Sequence, residues 1–232
     1  AHFYQSFGTN VTLIEALPNI LPIEDEAISK ELEQLFKKRK MIIYTNTKVK
    51  KIEQMKTKVK IHLEKDEMIE TEKVLIAVGV KGNIEEIGLE ECSILVDKGW
   101  IKVNEFMETT VSGVYAIGDV AGPPWLAHVA SAEGITAVEH LVGLNSEPMR
   151  YDNIPGCTYC HPEVASVGLT EKMAVEQGYD IKVGIFPFRG LGKSMATGDT
   201  DGFVKVIYDV KYGEMLGCHI IGAEATNLIT EA

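Results

Sequence analysis

The sequence has few cysteines, no long apolar run and fewer basic than acidic residues, and each of these features excludes a class of protein. Four cysteines in 232 residues are too few for a secreted disulfide scaffold, and no apolar run approaches the roughly 20 residues that cross a bilayer. Basic residues number 23 against 34 acidic ones, a net charge of −11, and the basic cluster at residues 37–40 is more typical of a solvated helix end than of a polyanion-binding face. We therefore expect no nucleic-acid or membrane partner, and a cytoplasmic location (the mitochondrial matrix in a eukaryote).

The remaining composition is that of a globular protein. Hydrophobic residues make up 45% and charged residues 25% of the chain, which argues against disorder, collagen and coiled coil. No signal peptide or fixed-period repeat is visible. The chain lacks an initiator Met, opens on what reads as the end of a helix closed by Gly8, and stops inside an apparent new helix. We therefore expect it to be part of a longer polypeptide.

The first third of the chain predicts an α/β unit. Apolar periodicity predicts a helix from about residue 24 to 40, and strict alternation predicts a strand with one solvent-facing side. The predicted strands cover residues 11–15, 41–44, 47–52, 58–63 and 73–78. Strand, helix, strand, antiparallel ribbon and returning strand together are typical of a Rossmann-like nucleotide-binding fold.

The rest of the chain divides in two. Residues 80–147 predict a strand at 113–117 and a helix at 127–141. From residue 148 onward the pattern predicts an α+β domain dominated by antiparallel sheet, with a short helix opened by Thr170 as a cap. Its predicted strands are 164–168, 181–188, 203–210 and 214–221. The predicted boundaries are therefore 1–79, 80–147 and 148–232.

Three places could bind a cofactor. Glu15 ends a strand, where a carboxylate can accept hydrogen bonds from a ribose and repel a 2′-phosphate, selecting NAD over NADP; a strand-ending Glu can equally be merely solvated. Gly118 and Asp119 follow an apolar run, at the strand end where open α/β sheets bind ligands, although such endings are common. Residues 125–128 open a helix whose free amides favour an electron-rich group; alternatively, Trp125 and Leu126 belong to the core.

Residues Cys157 to His161 spell Cys-x-x-Cys-His, the pattern of covalent haem attachment. A redox dithiol or half of a zinc site are other interpretations. A redox pair normally lies at a helix N-terminus, whereas this one lies in an extended segment running into Pro162. Cys218 and His219 are neighbours on a strand and point to opposite faces, so they do not complete a zinc site. Structural thiols are the favoured interpretation, and no metal site is assigned.

The ordered motifs resemble the FAD-dependent pyridine nucleotide–disulfide oxidoreductases. Residues 110–119 are similar to that family's second flavin motif. Residues 151–155, 161–168, 202–205 and 217–224 resemble its dimerisation domain. The resemblance covers essentially the whole chain and identifies the three segments as the remainder of an NAD-binding domain, a returning segment of an FAD-binding domain, and an incomplete dimerisation domain.

Within the family, Leu126-Ala127-His128 and Glu133-Gly134 resemble dihydrolipoyl dehydrogenases, because members similar to glutathione reductase tend to place Thr-Pro at residues 127–128. The resemblance implies oxidation of dihydrolipoamide through an active-site disulfide and FAD to NAD, by a homodimer that can serve a 2-oxoacid dehydrogenase complex through its lipoyl or core subunits. The implied NAD contacts are Glu15, Val49 and Gly79, and the implied FAD contacts are Gly118, Asp119, Trp125, Leu126, Ala127 and His128.

The chain also departs from the family. Residues 79–83 read Gly-Val-Lys-Gly-Asn where Gly-Arg-x-Pro-Asn is common, Trp125 replaces a usual Met, and Cys160 replaces a common Thr. The redox cysteine pair would precede the chain and the catalytic His and Glu would follow it. No catalytic residue is therefore assigned, and the chain alone should be inactive. The alternatives are another disulfide reductase of the family and a non-catalytic nucleotide-binding or assembly module.

Overall fold

The computed structural model describes residues 1–64 and 66–232, and they divide into two compact units. The first combines Ala1–Leu75 with Pro155–Ala232, and the second is the intervening segment Ile76–Ile154. In the described part of the chain, none of the helices is both long enough and apolar enough to cross a bilayer.

In the ranges that the structure describes, two α-helices and seven strands lie before residue 118, and four α-helices and five strands follow it. In chain order the helices are α1 (His2–Ser6), α2 (Glu26–Lys38), α3 (Ala127–Leu141), α4 (Glu171–Glu176), α5 (Gly192–Thr197) and α6 (Ala225–Leu228). The strands are β1 (Thr12–Ile14), β2 (Ile42–Tyr44), β3 (Val49–Gln54), β4 (Val59–Leu63), β5 (Met68–Thr71), β6 (Val96–Asp97), β7 (Trp100–Ile101), β8 (Gly156–Thr158), β9 (Glu163–Gly168), β10 (Ile181–Pro187), β11 (Phe203–Asp209) and β12 (Met215–Gly222).

The predicted strand–helix–strand pattern is confirmed. Strands β1 and β2 pair in parallel, with Thr12 opposite Ile42, and α2 connects them along the chain. The carboxylate of Asp25 caps α2 by accepting a hydrogen bond from the Ala27 amide at 2.9 Å. Strands β3 and β4 form the predicted antiparallel ribbon in a separate sheet, to which β5, a strand that was not predicted, adds a third member.

The predicted antiparallel sheet of the last third is also confirmed. Its strand order is β10-β11-β12-β9-β8 and its neighbours are antiparallel. The Thr170 hydroxyl accepts the Met173 amide at 3.2 Å and caps α4 as predicted. One face of the sheet packs against α2, where Leu32 and Phe36 share a core with Val164 and Ile221.

A buried network of charged side chains connects the N-terminus of α2 to this sheet. Lys205 on β11 is 3% exposed and Asp25 is 2% exposed. The ammonium donates to both Asp25 oxygens at 2.8 and 2.9 Å and to Glu171 at 2.5 Å. The Glu171 amide donates to Asp25 at 3.1 Å. Burial raises the pKa of Asp25, but the hydrogen bonds from Lys205 and the amides of Glu171 and Ala27 outweigh burial and hold that pKa below its ordinary value.

Two predicted strands are wrong. Residues 73–78 form no ladder, and residues 113–117 contribute only an isolated bridge between Tyr115 and Glu108. A strand requires a neighbour that takes its backbone hydrogen bonds along its length. Among the described residues, residues 73–78 have no such neighbour, and residues 113–117 meet only residues 107–109, with backbone hydrogen bonds from Thr109 to Val114 at 2.8 Å and from Ala116 to Met107 at 3.0 Å. The side chains of Leu75, Ile76 and Val78 are accordingly 71%, 66% and 90% exposed.

Candidate functional site

Within the second unit, a glycine turn lies against helix α3. Residues Gly118–Ala121 form a short 3-10 helix, and Gly118 has φ +71°, a conformation that glycine adopts readily. A Cβ on Gly118 would lie 3.3 Å from the Cβ of Ala130, and a Cβ on Gly134 would lie 3.3 Å from Ile117 Cδ1. The two glycines therefore allow turn and helix to approach closely.

The carboxylate of Glu133 connects the helix to the turn. Glu133 is 3% exposed, and its Oε2 accepts the Gly118 amide at 2.6 Å while its Oε1 accepts the Tyr151 hydroxyl at 2.8 Å. Burial and the neighbouring Glu133 carboxylate raise the pKa of Tyr151 above its ordinary value, so its hydroxyl, which is already protonated at neutral pH, remains a hydrogen-bond donor.

Sequence analysis did not predict Glu133 or Tyr151 as site residues. A signal for Glu133 exists, because it stands in the buried stripe of α3 with Val129, Thr136 and Ala137. A carboxylate on the buried stripe of a helix needs hydrogen-bond partners. The sequence contains no comparable signal for Tyr151.

The side chains around the turn suit an elongated polyol with an electron-rich ring. Asp119 is exposed directly after Gly118. The first turn of α3 follows Leu126 with no side-chain cap, so its amides carry the partial positive charge of a helix N-terminus. Ala127 and His128 are exposed there, and the rings of Trp125 and Trp100 lie 5.9 Å apart between centroids. These residues fit the flavin contacts that the resemblance implies.

In the first unit, Glu15 lies immediately after β1. Its Oε1 accepts the Leu17 amide at 2.8 Å, which orients the carboxylate at the carboxyl end of the strand. Its carbonyl accepts the Thr47 amide at 3.0 Å. Thr47 stands two residues before Val49, which opens β3 and is 41% exposed. Glu15 and Val49 are thus linked within one unit, whereas Gly79, with φ +112°, belongs to the second.

The Cys-x-x-Cys-His segment is extended at Cys157 and Thr158, as predicted, and then bends, with the Cys160 amide donating to the Thr158 carbonyl at 3.1 Å. Cys157 lies on β8, Cys160 follows it, and all four cysteines of the chain are free thiols. The Cys160 thiol donates to the Pro162 carbonyl at 3.0 Å. Burial and the Glu163 carboxylate raise the pKa of Cys160 to about 11, and the same two causes raise the pKa of Cys157. Across residues 1–64 and 66–232, no three His, Cys, Asp or Glu side chains are grouped to hold a metal ion.

Cys160 should resist alkylation in the folded protein. A pKa of about 11 leaves roughly one thiol in a thousand ionised at pH 8, and only the thiolate reacts. We expect timed iodoacetamide labelling with peptide mass spectrometry to modify exposed Cys92 about 100-fold faster than Cys160. The same reaction in denaturant is the control and should remove the difference. Labelling of Cys160 at the rate of Cys92 would favour the redox-dithiol interpretation instead.

Comparison with protein families finds two matches that together cover most of the chain. The family described as "Pyridine nucleotide-disulphide oxidoreductase" matches residues 1–134. Its dimerisation domain matches residues 154–232.

Curated relatives match along almost the entire chain. A dihydrolipoyl dehydrogenase of Rhizobium etli is 47% identical over 99% of this chain and 49% of its own length. One from Bacillus subtilis is 46% identical over 100% of this chain and 50% of its own length. The chain therefore spans about half the length of the curated relatives it matches.

Solved structures also match along almost the entire chain. LpdA from Mycobacterium tuberculosis superposes with a TM-score of 0.92 at 25% identity, covering 99% of this chain and 50% of the other. The HOCl-induced flavoprotein disulfide reductase RclA from Escherichia coli gives 0.92 at 26% identity, covering 99% and 53%.

Proposed function

Because the chain belongs to the pyridine nucleotide–disulphide oxidoreductase family, we propose that it is half of a dihydrolipoyl dehydrogenase that oxidises dihydrolipoamide and reduces NAD. The observation that carries the proposal is the 47% and 46% identity, along essentially the whole chain, to two proteins of that name. Since the chain spans about half of their length, the redox cysteine pair and the catalytic His and Glu are proposed to lie outside it. The chain alone is then inactive and holds FAD weakly.

The proposed boundaries assign residues 1–79 to the NAD-binding domain, 80–147 to the FAD-binding domain and 148–232 to the dimerisation domain. Residues 73–78 and 113–117 do not form the predicted strands in this chain. In this assignment both runs would pair with strands supplied by the rest of the enzyme. Their exposed apolar side chains would then be covered. We place Gly79 at the end of the first run, beside the nicotinamide half of NAD.

FAD, when bound, would carry electrons to NAD from the active-site dithiol that forms when dihydrolipoamide reduces the disulfide. The residues of this chain bind and orient it: Asp119 accepts ribitol hydroxyls, and Gly118 allows the backbone to approach. The first-turn amides of α3 would stabilise negative charge at the pyrimidine end of the ring. Exposed Asp119 and the uncapped helix end support these roles, with residues 125–128 as the backbone contact.

The proposed partners are a second copy of the enzyme, for which the chain carries the family's dimerisation domain, and the lipoyl or core subunits of a 2-oxoacid dehydrogenase complex. We propose a cytoplasmic location, or the mitochondrial matrix if the source is a eukaryote. The four free thiols support a reducing compartment.

Glu15 should set the nucleotide preference. In the full-length enzyme, Glu15→Ala should raise the KM for NAD about 10–100-fold, the value of hydrogen bonds to a charged group, and reduce discrimination against NADP. Glu15→Gln retains an acceptor for the Leu17 amide but removes the repulsion of a 2′-phosphate. It should therefore reduce the preference for NAD over NADP while keeping the backbone conformation after β1. Steady-state kinetics with both nucleotides test this, with exposed Glu72→Ala as the matched control. Unchanged Michaelis constants for both nucleotides would refute the role.

A substrate comparison tests the function itself. The full-length protein should reduce NAD with dihydrolipoamide and should not reduce glutathione disulfide with NADPH. The similarity to RclA favours one competing function, another flavoprotein disulfide reductase, which would show the opposite preference or act on a different disulfide. Absence of turnover with intact flavin would favour a non-catalytic module.

A further inference from the structure

We propose that Glu133 is a positioning residue for flavin binding, holding the Gly118–Asp119 turn so that the Asp119 carboxylate meets the ribitol, and that Tyr151 in turn holds Glu133. The inference rests on the proposed function, because it assumes that Asp119 binds FAD. It adds two residues that touch no cofactor and act through the backbone of the turn.

The burial of Glu133 requires an explanation. Its carboxylate lies in the buried stripe of α3, where an apolar side chain would fill the space without the cost of removing a charge from water. In the part of the chain that the structure describes, no Lys, Arg or His makes a salt bridge to it. The hydrogen bonds from Gly118 and Tyr151 instead compensate the charge.

The bond to Gly118 acts directly on the flavin turn. At 2.6 Å it is a short, charge-assisted hydrogen bond, and it fixes the orientation of the Ile117–Gly118 peptide group, one peptide group before the one that joins Gly118 to Asp119. Gly118 needs this constraint because its φ of +71° is one of several conformations open to glycine. Without Glu133 the turn would retain its packing on Ala130 but lose the bond that orients its first amide.

The two oxygens of the Glu133 carboxylate accept hydrogen bonds from different partners, and Tyr151 is the partner of Oε1. Its hydroxyl lies 2.8 Å from Glu133 Oε1 and 3.7 Å from the sulfur of buried Met107. With Oε1 occupied, Oε2 faces the Gly118 amide. The three groups form a chain of contacts from Tyr151 through Glu133 to the turn.

The test measures FAD affinity in the full-length enzyme after its flavin has been removed and added back. Glu133→Ala should raise the dissociation constant for FAD about 10–100-fold, the value of one charge-assisted hydrogen bond. Glu133→Gln should stay within about threefold, because the amide oxygen accepts the Gly118 amide and the amide NH₂ donates to the Tyr151 oxygen. Glu139→Ala, on the same helix, is the control and should leave the affinity unchanged.

A double-mutant cycle separates positioning from general structural support. If Glu133 acts through Asp119, Glu133→Ala should weaken FAD binding about tenfold or more in the native background and less than about threefold in the Asp119→Asn background. A merely structural role predicts the same fold-change in both backgrounds, which would overturn the proposal.

A milder variant covers the case in which Glu133→Ala fails to fold. Tyr151→Phe removes a single hydroxyl and should weaken FAD binding about threefold to tenfold, the value of an ordinary hydrogen bond, with no change in the Asp119→Asn background. An unchanged affinity would overturn the inference. If the native full-length protein binds no FAD, the proposed function itself has failed; if it binds FAD and oxidises dihydrolipoamide but Glu133→Ala matches Glu139→Ala, only this inference has failed.

Discussion

Lys205→Met should destabilise the folded protein by about 3–5 kcal/mol, the cost of leaving one partner of a buried ion pair without the other. Methionine keeps the length and apolar stem of the lysine but leaves Asp25, 2% exposed, without its cation. Glu171 would lose the same partner, although it is half exposed and can be solvated. Chemical denaturation of the full-length protein, followed by circular dichroism, measures the change.

The matched control for this substitution is Lys182→Met on the neighbouring strand β10, where the lysine is exposed and the change should cost less than about 0.5 kcal/mol. Acid provides a second check. The pKa of Asp25 is held low by Lys205 and two amides against the effect of burial, so the native network stabilises the protein above the ordinary Asp pKa and loses that contribution as the pH falls through the folded-state value. In Lys205→Met, Asp25 should protonate at higher pH, so the difference in stability should shrink on acidification. An equal cost for both lysine variants would contradict the role of the network.

Gly202→Ala should also destabilise the fold, by about 2–5 kcal/mol from steric overlap and a left-handed backbone together. Gly202 has φ +99°, and a Cβ there would lie 1.9 Å from the carbonyl oxygen and 2.6 Å from the carbonyl carbon of Ile221. Both are backbone atoms of the adjacent strand, β12, so no side-chain rotation relieves the overlap. Denaturation monitored as above gives the cost.

Gly198→Ala separates the two causes of that cost. Gly198 has a similar φ of +81° but nothing within 4 Å of a Cβ, so its substitution should cost only the backbone term, about 1–2 kcal/mol. Equal costs at Gly198 and Gly202 would mean that the close approach to Ile221 is relieved elsewhere.

The sequence predicted correctly those elements that are stabilised by periodic apolar residues or by contacts between residues close together in the chain. The apolar stripe of α2, with Ile28, Leu32 and Phe36 buried, and the Thr170 cap of α4 are examples. The runs at 73–78 and 113–117 show the limit of this reasoning. Their apolar patterns are those of strands buried against neighbouring strands. Among the described residues, the run at 73–78 has no such neighbour and the run at 113–117 has only the short partner at 107–109.

Interactions between distant residues were beyond prediction from one sequence. Asp25 and Lys205 are 180 positions apart, and nothing in either neighbourhood distinguishes them from solvated charges. The position of Glu133 on the apolar stripe of α3 indicated that it needs a partner, but nothing in the sequence identified Tyr151 as that partner. Among the candidate site residues, the strand-ending position of Glu15 followed from the pattern, whereas Gly118 was predicted to end a strand and begins a 3-10 turn instead. The roles of both residues as cofactor contacts came from the family resemblance.

The most direct test of the account is the reaction of the flavin in the full-length protein without oxygen. We expect the visible flavin absorbance to fall on addition of dihydrolipoamide and to return on addition of NAD, but not of NADP at the same concentration. Loss of absorbance would show that the dithiol reduces the flavin, and its return would show that NAD accepts the electrons. A protein without flavin absorbance, or one whose flavin is unaffected by dihydrolipoamide, would contradict the account.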